Sequence, residues 1–177
     1  TEELCLDIIT NYNLDVIEFI RNKTPKICLE AVRRSPTALK YIDDQTDELC
    51  MEAVKSFGLA IRYVKNQTDE LCKIAINKDN DYFYSTIKWI KKPSQEICMY
   101  AVKKYGKSLK YIKKQNYEIC MKAIKKDTDA FEYVQSKYRT HELCLEVIKR
   151  ELTYNTKEEL IKHDKKLFNL FPHLNCT

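Results

Sequence analysis

The sequence predicts an all-α protein, an α-solenoid of seven two-helix repeats with a C-terminal capping helix. Three observations carry that expectation. Seven cysteines (Cys5, Cys28, Cys50, Cys72, Cys98, Cys120 and Cys144) recur at intervals of 22 to 26 residues, and a near-fixed period marks a repeat architecture. The 177 residues include only 2 Gly and 4 Pro, too few for the many tight turns of a β-sandwich. Apolar residues make up 44% of the chain and recur at helical spacing, which also argues against disorder. The apolar runs are short, so no membrane contact is expected, and no signal peptide is visible.

Aligned on the cysteines, the units start at Thr1, Thr24, Thr46, Thr68, Ser94, Asn116 and Thr140. The repeat array is expected over residues 1–155, with residues 156–177 forming the cap and tail. Each starting residue is Thr, Ser or Asn, whose side chain accepts from an orphan N–H at a helix start. Glu follows two positions later in six units, at Glu3, Glu48, Glu70, Glu96, Glu118 and Glu142, where it favours the positive end of the helix dipole. In the third unit, Leu49, Cys50, Ala53 and Val54 then mark one face of a first helix. A breaker follows: Ser35-Pro36, Gly58, Asp79-Asn80-Asp81, Gly106 or Asp127-Thr128-Asp129. Pro suits the first turn of a new helix with Ser35 as its cap, and Gly suits the C′ position. Ala60, Ile61, Tyr63 and Val64 give the face of a second helix. One continuous helix from Leu49 to Val64 also fits the apolar spacing, but the Pro and Asp breakers favour two. Helices this short are unstable alone, so the units must stack. The fourth unit carries an insertion around Asp79–Tyr84. After Arg150 the repeat dissolves, and Thr156 is placed to cap a last amphipathic helix with Leu160, Ile161, Leu167 and Phe168.

The pattern T-x-E-[LI]-C-[LM]-E-A-[VI]-K, then A-L-K-Y-[VI]-K-x-Q, resembles a family of cysteine-containing helical repeats of unknown function, abundant in giant viruses of amoebae. The resemblance covers residues 1 to about 150. It implies a helical repeat fold, a viral origin and hence the host cytoplasm. It supplies no catalytic residues.

Eight cysteines in total invite a disulfide reading. Equivalent positions in stacked units, however, lie about 8–10 Å apart, beyond the roughly 7 Å a disulfide spans. Free, buried thiols in a reducing intracellular compartment are therefore expected. The sequons at Asn22, Asn66 and Asn175 read as polar loops, the first two meeting a capping Thr. His141, Cys144, His173 and Cys176 form a weak candidate zinc set, against which stand the repeat role of Cys144 and the terminal position of Cys176. No phosphate loop, nucleophile elbow or zincin motif is present, so neither an enzyme nor a cofactor is expected.

Charge is the most informative functional feature. Residues 88–126 hold 12 Lys against two Glu, a local +10; the whole chain carries +5, leaving −5 elsewhere. Lys40, Arg62, Lys88 and Lys110 share one repeat slot; Arg21, Lys65, Lys91 and Lys113 share another three residues on. Both slots are expected on one face of the second helices, forming a basic stripe flanked by Lys107 and Lys114. Glu30, Glu52 and Glu146 should run as an acidic row along the first helices. The expected function is a non-catalytic scaffold whose stripe meets a protein with an acidic surface, including a host protein bound by a viral one. The alternative is sequence-tolerant RNA or DNA binding through phosphate contacts, which the scarcity of Arg weakens. Tyr41, Tyr63, Trp89, Tyr111 and Tyr133 share a slot that reads as packing between units rather than a base-stacking platform.

Overall fold

The computed structural model describes residues 1–12, 14–78 and 86–154, with side chains described for all of these except 14, 15 and 151–154. The insertion in the fourth unit and the expected C-terminal cap lie outside the described residues. Among the described residues all regular structure is helical.

Each unit begins with an α-helix: α1 (Glu2–Asn11), α2 (Pro25–Arg34), α3 (Asp47–Ser56), α4 (Asp69–Lys78), α5 (Gln95–Lys104), α6 (Tyr117–Lys126) and α7 (His141–Tyr154). The predicted caps form in six of them. Thr24, Thr46, Thr68, Ser94, Asn116 and Thr140 each accept from the N–H three residues on, at 2.8–3.4 Å. Thr1 makes no such bond.

The second element differs from the expected α-helix. It is a 3₁₀ helix: η1 (Leu14–Phe19), η2 (Pro36–Tyr41), η3 (Gly58–Tyr63), η4 (Thr86–Trp89), η5 (Gly106–Tyr111) and η6 (Thr128–Tyr133), with a short η7 (Ser136–Tyr138) before α7. In units two, three, five and six one extended residue separates the two helices, as at Phe57 (φ −141°, ψ 105°). Its N–H closes the α-helix on the Ala53 carbonyl at 2.9 Å, and its carbonyl opens the 3₁₀ helix by accepting from Ala60. Ser35 does not cap η2; its hydroxyl bonds that of Thr37 instead. Asp127 does cap η6, accepting from the Asp129 N–H at 3.0 Å.

The glycines also differ from expectation. Neither has positive φ, so neither is a left-handed cap. They mark close approaches. A Cβ on Gly58 would lie 2.7 Å from the Ala75 carbonyl oxygen, and one on Gly106 would lie 2.6 Å from that of Ala123.

Successive α-helices pack side by side, as do successive 3₁₀ helices, and α2, α3, α4, α6 and α7 each also pack on the 3₁₀ helix of the unit before. The result is a two-layer stack with one continuous core between the layers. In α3 the core face is Leu49, Cys50, Ala53 and Val54, and in η3 it is Ala60 and Ile61, followed by Val64. Much of the burial comes from the neighbouring unit. Leu49 is 4% exposed, whereas Leu4, in the same slot of the first unit, is 57% exposed. Burying such a side chain contributes roughly 1.5–3 kcal/mol, so the units stabilise one another.

Candidate binding surface

The cationic slot of the 3₁₀ helices forms a row on one edge of the stack. Lys40, Arg62, Lys88 and Lys110 are exposed and lie over the half-buried aromatic slot that follows them. Lys40 stands 4.3 Å from the Tyr41 ring centre and Lys88 5.3 Å from that of Trp89. Two of the cations bridge units. Arg62 lies over its own Tyr63 at 5.0 Å and over Trp89 of the next unit at 4.1 Å. Lys110 lies over Tyr111 at 5.9 Å and Tyr133 at 5.6 Å. The edge is thus a ladder of packed rings with cations on top, each such contact contributing about 0.5–1 kcal/mol at an exposed site.

The second basic slot lies elsewhere than expected. The 3₁₀ helices end at the aromatic residue, so Lys65, Lys91 and Lys113 fall in the turn beyond, together with Lys114. Two of these lysines stitch one turn to the previous one. The Lys65 ammonium donates to the Asp43 carbonyl at 2.9 Å and pairs with its carboxylate at 3.0 Å; that hydrogen bond holds the Asp43 carboxyl below its ordinary value. Lys91 donates to the Val64 carbonyl at 3.1 Å. Lys107 is also engaged, 2.8 Å from Asp129 and 3.8 Å from Asp127 of the next unit. Lys113 and Lys114 remain exposed in their turn.

The acidic row is interrupted. Its slot holds Ile74, Tyr100 and Lys122 in the middle units. Its three glutamates meet arginines: Glu30 with Arg34 at 3.2 Å, Glu52 with Arg33 at 3.7 Å and Glu146 with Arg150 at 3.8 Å.

The sequence reading missed the role of the motif's glutamine. Gln45 donates through Nε2 to the carbonyls of Leu39 (3.1 Å) and Ile42 (3.3 Å) in its own unit and of Tyr63 (2.9 Å) in the next; its Oε1 accepts from the Lys65 N–H at 2.8 Å. Gln67 repeats this with Ile61, Trp89 and the Lys91 N–H. Gln115 does so with Leu109, Tyr133 and the Gln135 N–H. Each carboxamide supplies the donors and the acceptor that the two backbones need. It also receives the repeat cysteine, with Cys120 Sγ 3.5 Å and Cys50 Sγ 3.8 Å from the glutamine Oε1. A glutamine recurring just before the capping residue was the available signal.

The seven described cysteines are free, and six are buried. Burial pushes the thiols of Cys72 and Cys120 up to about 11 and raises those of Cys28, Cys50, Cys98 and Cys144. Such thiols are poor nucleophiles near neutrality. His141 is exposed in the first turn of α7 while Cys144 faces the core; His173 and Cys176 lie outside the described residues. Among the described residues no group of three or more His, Cys, Asp or Glu is placed to hold a metal, and no helix is long and apolar enough to cross a membrane.

These features define a helical repeat protein with glutamine side chains joining its units at three seams and a cationic 3₁₀ edge. The chain belongs to the family of the domain of unknown function DUF4116, whose model matches residues 24–67 and 94–139, half of the chain. Each matched segment spans two units, and in each a glutamine, Gln45 or Gln115, links the pair. No curated protein and no solved structure matches the chain.

Proposed function

We propose that the protein is a non-catalytic scaffold that binds a protein partner with an acidic surface along its 3₁₀ edge. The observation that carries this reading is the row Arg62, Lys88 and Lys110. These cations stand exposed on consecutive units, with no ion-pairing acid among the described residues, and aromatic rings beneath them fix their spacing. Lys113 and Lys114 extend the row into the adjacent turn, inside the segment of local charge +10. Complementary charge of this kind steers association and sets register. An intracellular location belongs to the same reading, because free thiols persist in reducing compartments. Nucleic acid is the less favoured occupant, since the rings that would stack bases are packed under cations and against neighbouring units.

Affinity capture from cell lysate, comparing the native chain with a Lys110→Glu/Lys113→Glu variant, tests the contact face. A specific partner should be retained by the native chain and lost by the variant. Retention of that partner by both would overturn the assignment. Fluorescence anisotropy with a random RNA at about 50 and 200 mM salt separates the occupants. Tight binding that falls steeply with salt would give the edge to nucleic acid.

A further inference from the structure

The position just before the capping residue holds Gln45, Gln67 and Gln115 at three seams, Pro93 and Arg139 at two others, and Lys23 at the seam between the first two units. Lys23 performs only half of the glutamine's task. Its ammonium donates to the Ile20 carbonyl at 2.8 Å, the counterpart of the Gln45 bond to Ile42. An ammonium has three donors and no acceptor, so it cannot serve the N–H of the next turn. At the three glutamine seams that N–H (Lys65, Lys91 or Gln135) is held by Oε1, and a carbonyl beside it (Tyr63, Trp89 or Tyr133) is held by Nε2. The counterparts at the first seam are the Asp43 N–H and the Tyr41 carbonyl. Among the described residues neither has a hydrogen-bond partner. The same seam opens into a groove of about 740 Å³ between the Lys23 turn and the Asp43 turn, with Cys28, Leu29, Ile42 and Leu49 on its walls.

We propose that this groove binds a side-chain carboxamide, Gln or Asn, from a partner polypeptide. The carboxamide oxygen accepts from the N–H of Asp43, which lines the groove, and its NH₂ donates to the carbonyl of Tyr41, two residues earlier and outside the lining, as the protein's own glutamines do at the other seams. The groove's mixed charge favours a neutral group over an ion: Arg21, Lys23 and Lys26 line it, as do Asp43, Asp44 and Glu48. Arg62, Lys88 and Lys110 of the cationic edge are not among the residues that line the groove.

The test is an NMR titration of the ¹⁵N-labelled chain with N-acetyl-glutamine methylamide, using N-acetyl-leucine methylamide as the control that shares its backbone amides. The Asp43 amide should shift saturably with the glutamine probe, at least tenfold more weakly with the leucine probe, and not at all in Lys23→Gln. That variant places the chain's own carboxamide in the groove and should melt higher than the native protein. An Asp43 amide that ignores the glutamine probe, responds equally to leucine, or still titrates in Lys23→Gln would overturn the proposal.

Discussion

Units five and six carry a glutamine lock along the 3₁₀ edge in addition to packing between their α-helices, whereas the polar bonds between units four and five lie on the α face. At the first seam Gln115 bridges the Leu109 and Tyr133 carbonyls and the Gln135 N–H. Gly106 lets α6 approach η5 to within a distance that excludes a methyl group. At the second seam Pro93 takes the glutamine's place and offers no side-chain amide. There the bonds lie between α-helices. Lys104 donates to the Ile76 and Asn77 carbonyls at 2.8 Å each, Tyr100 to the Asn77 side chain at 2.8 Å, and Ser94 to Asp69 at 2.8 Å. Lys73 pairs with Glu96 at 2.6 Å. The hydrophobic slots are the same at both seams, so one core pattern tolerates two ways of satisfying polar groups between units. The family model covers the first seam and stops at the second.

The largest effect should come from breaking the edge lock. Gln115→Leu keeps the volume but leaves two carbonyls and one N–H without partners in a mostly buried site. Unsatisfied buried groups cost about 1–3 kcal/mol each; with partial relaxation, the loss should be about 3 kcal/mol in denaturant unfolding. Hydrogen exchange at the Gln135 amide should accelerate in the same variant. Pro93→Ala, at the equivalent position of the other seam, removes no such bond and should cost less than about 1 kcal/mol. Equal losses at both positions would erase the distinction between the seams.

Gly106→Ala probes the close approach. The added methyl group would meet the Ala123 carbonyl oxygen at 2.6 Å and Asp127 Cβ at 2.7 Å. One contact is backbone and the other lies at the base of a side chain, so neither yields by a rotamer change. Overpacking of this kind costs about 2 kcal/mol. Pro36 and Thr128 carry a Cβ in the same slot, so the tight fit belongs to the glycine seams and not to the repeat as such. A neutral Gly106→Ala would mean the seam can slide apart freely.

The sequence exposed the first helices almost completely. Thr46, Leu49, Cys50, Ala53 and Val54 occupy the roles their spacing assigned, because ten residues distinguish a helical face clearly and the cap types are chemically specific. The second element was legible only as helical. Over six residues, Ile61 and Val64 at i and i+3 fit both three and 3.6 residues per turn, so the end at Tyr63, and with it the place of Lys65 beyond the helix, was not readable. Gln45, Gln67 and Gln115 were visible as letters of the motif, yet periodicity says nothing about which distant backbone group a polar side chain reaches. The lysines divided for the same reason. Lys107 and Lys110 look alike in sequence, but only the first lies beside Asp127 and Asp129 of the next unit.

Among the variants that remove or crowd a contact, the smallest effect should come from the α-face lock. Lys104, in the last turn of α5, reaches the C-terminal carbonyls of α4, which have no partner within their own helix. Lys104→Met keeps the aliphatic stem and removes the ammonium. The side chain is half-exposed, and water can replace it at Ile76 and Asn77, so the unfolding free energy should fall by only about 1 kcal/mol. The change should be additive with Gln115→Leu, because the two locks sit on different layers and share no partner. A double variant that loses clearly more than the sum would show that the two seams hold the array as one cooperative body. Additive losses would instead leave the seam at Pro93 as a boundary between independently held pairs of units.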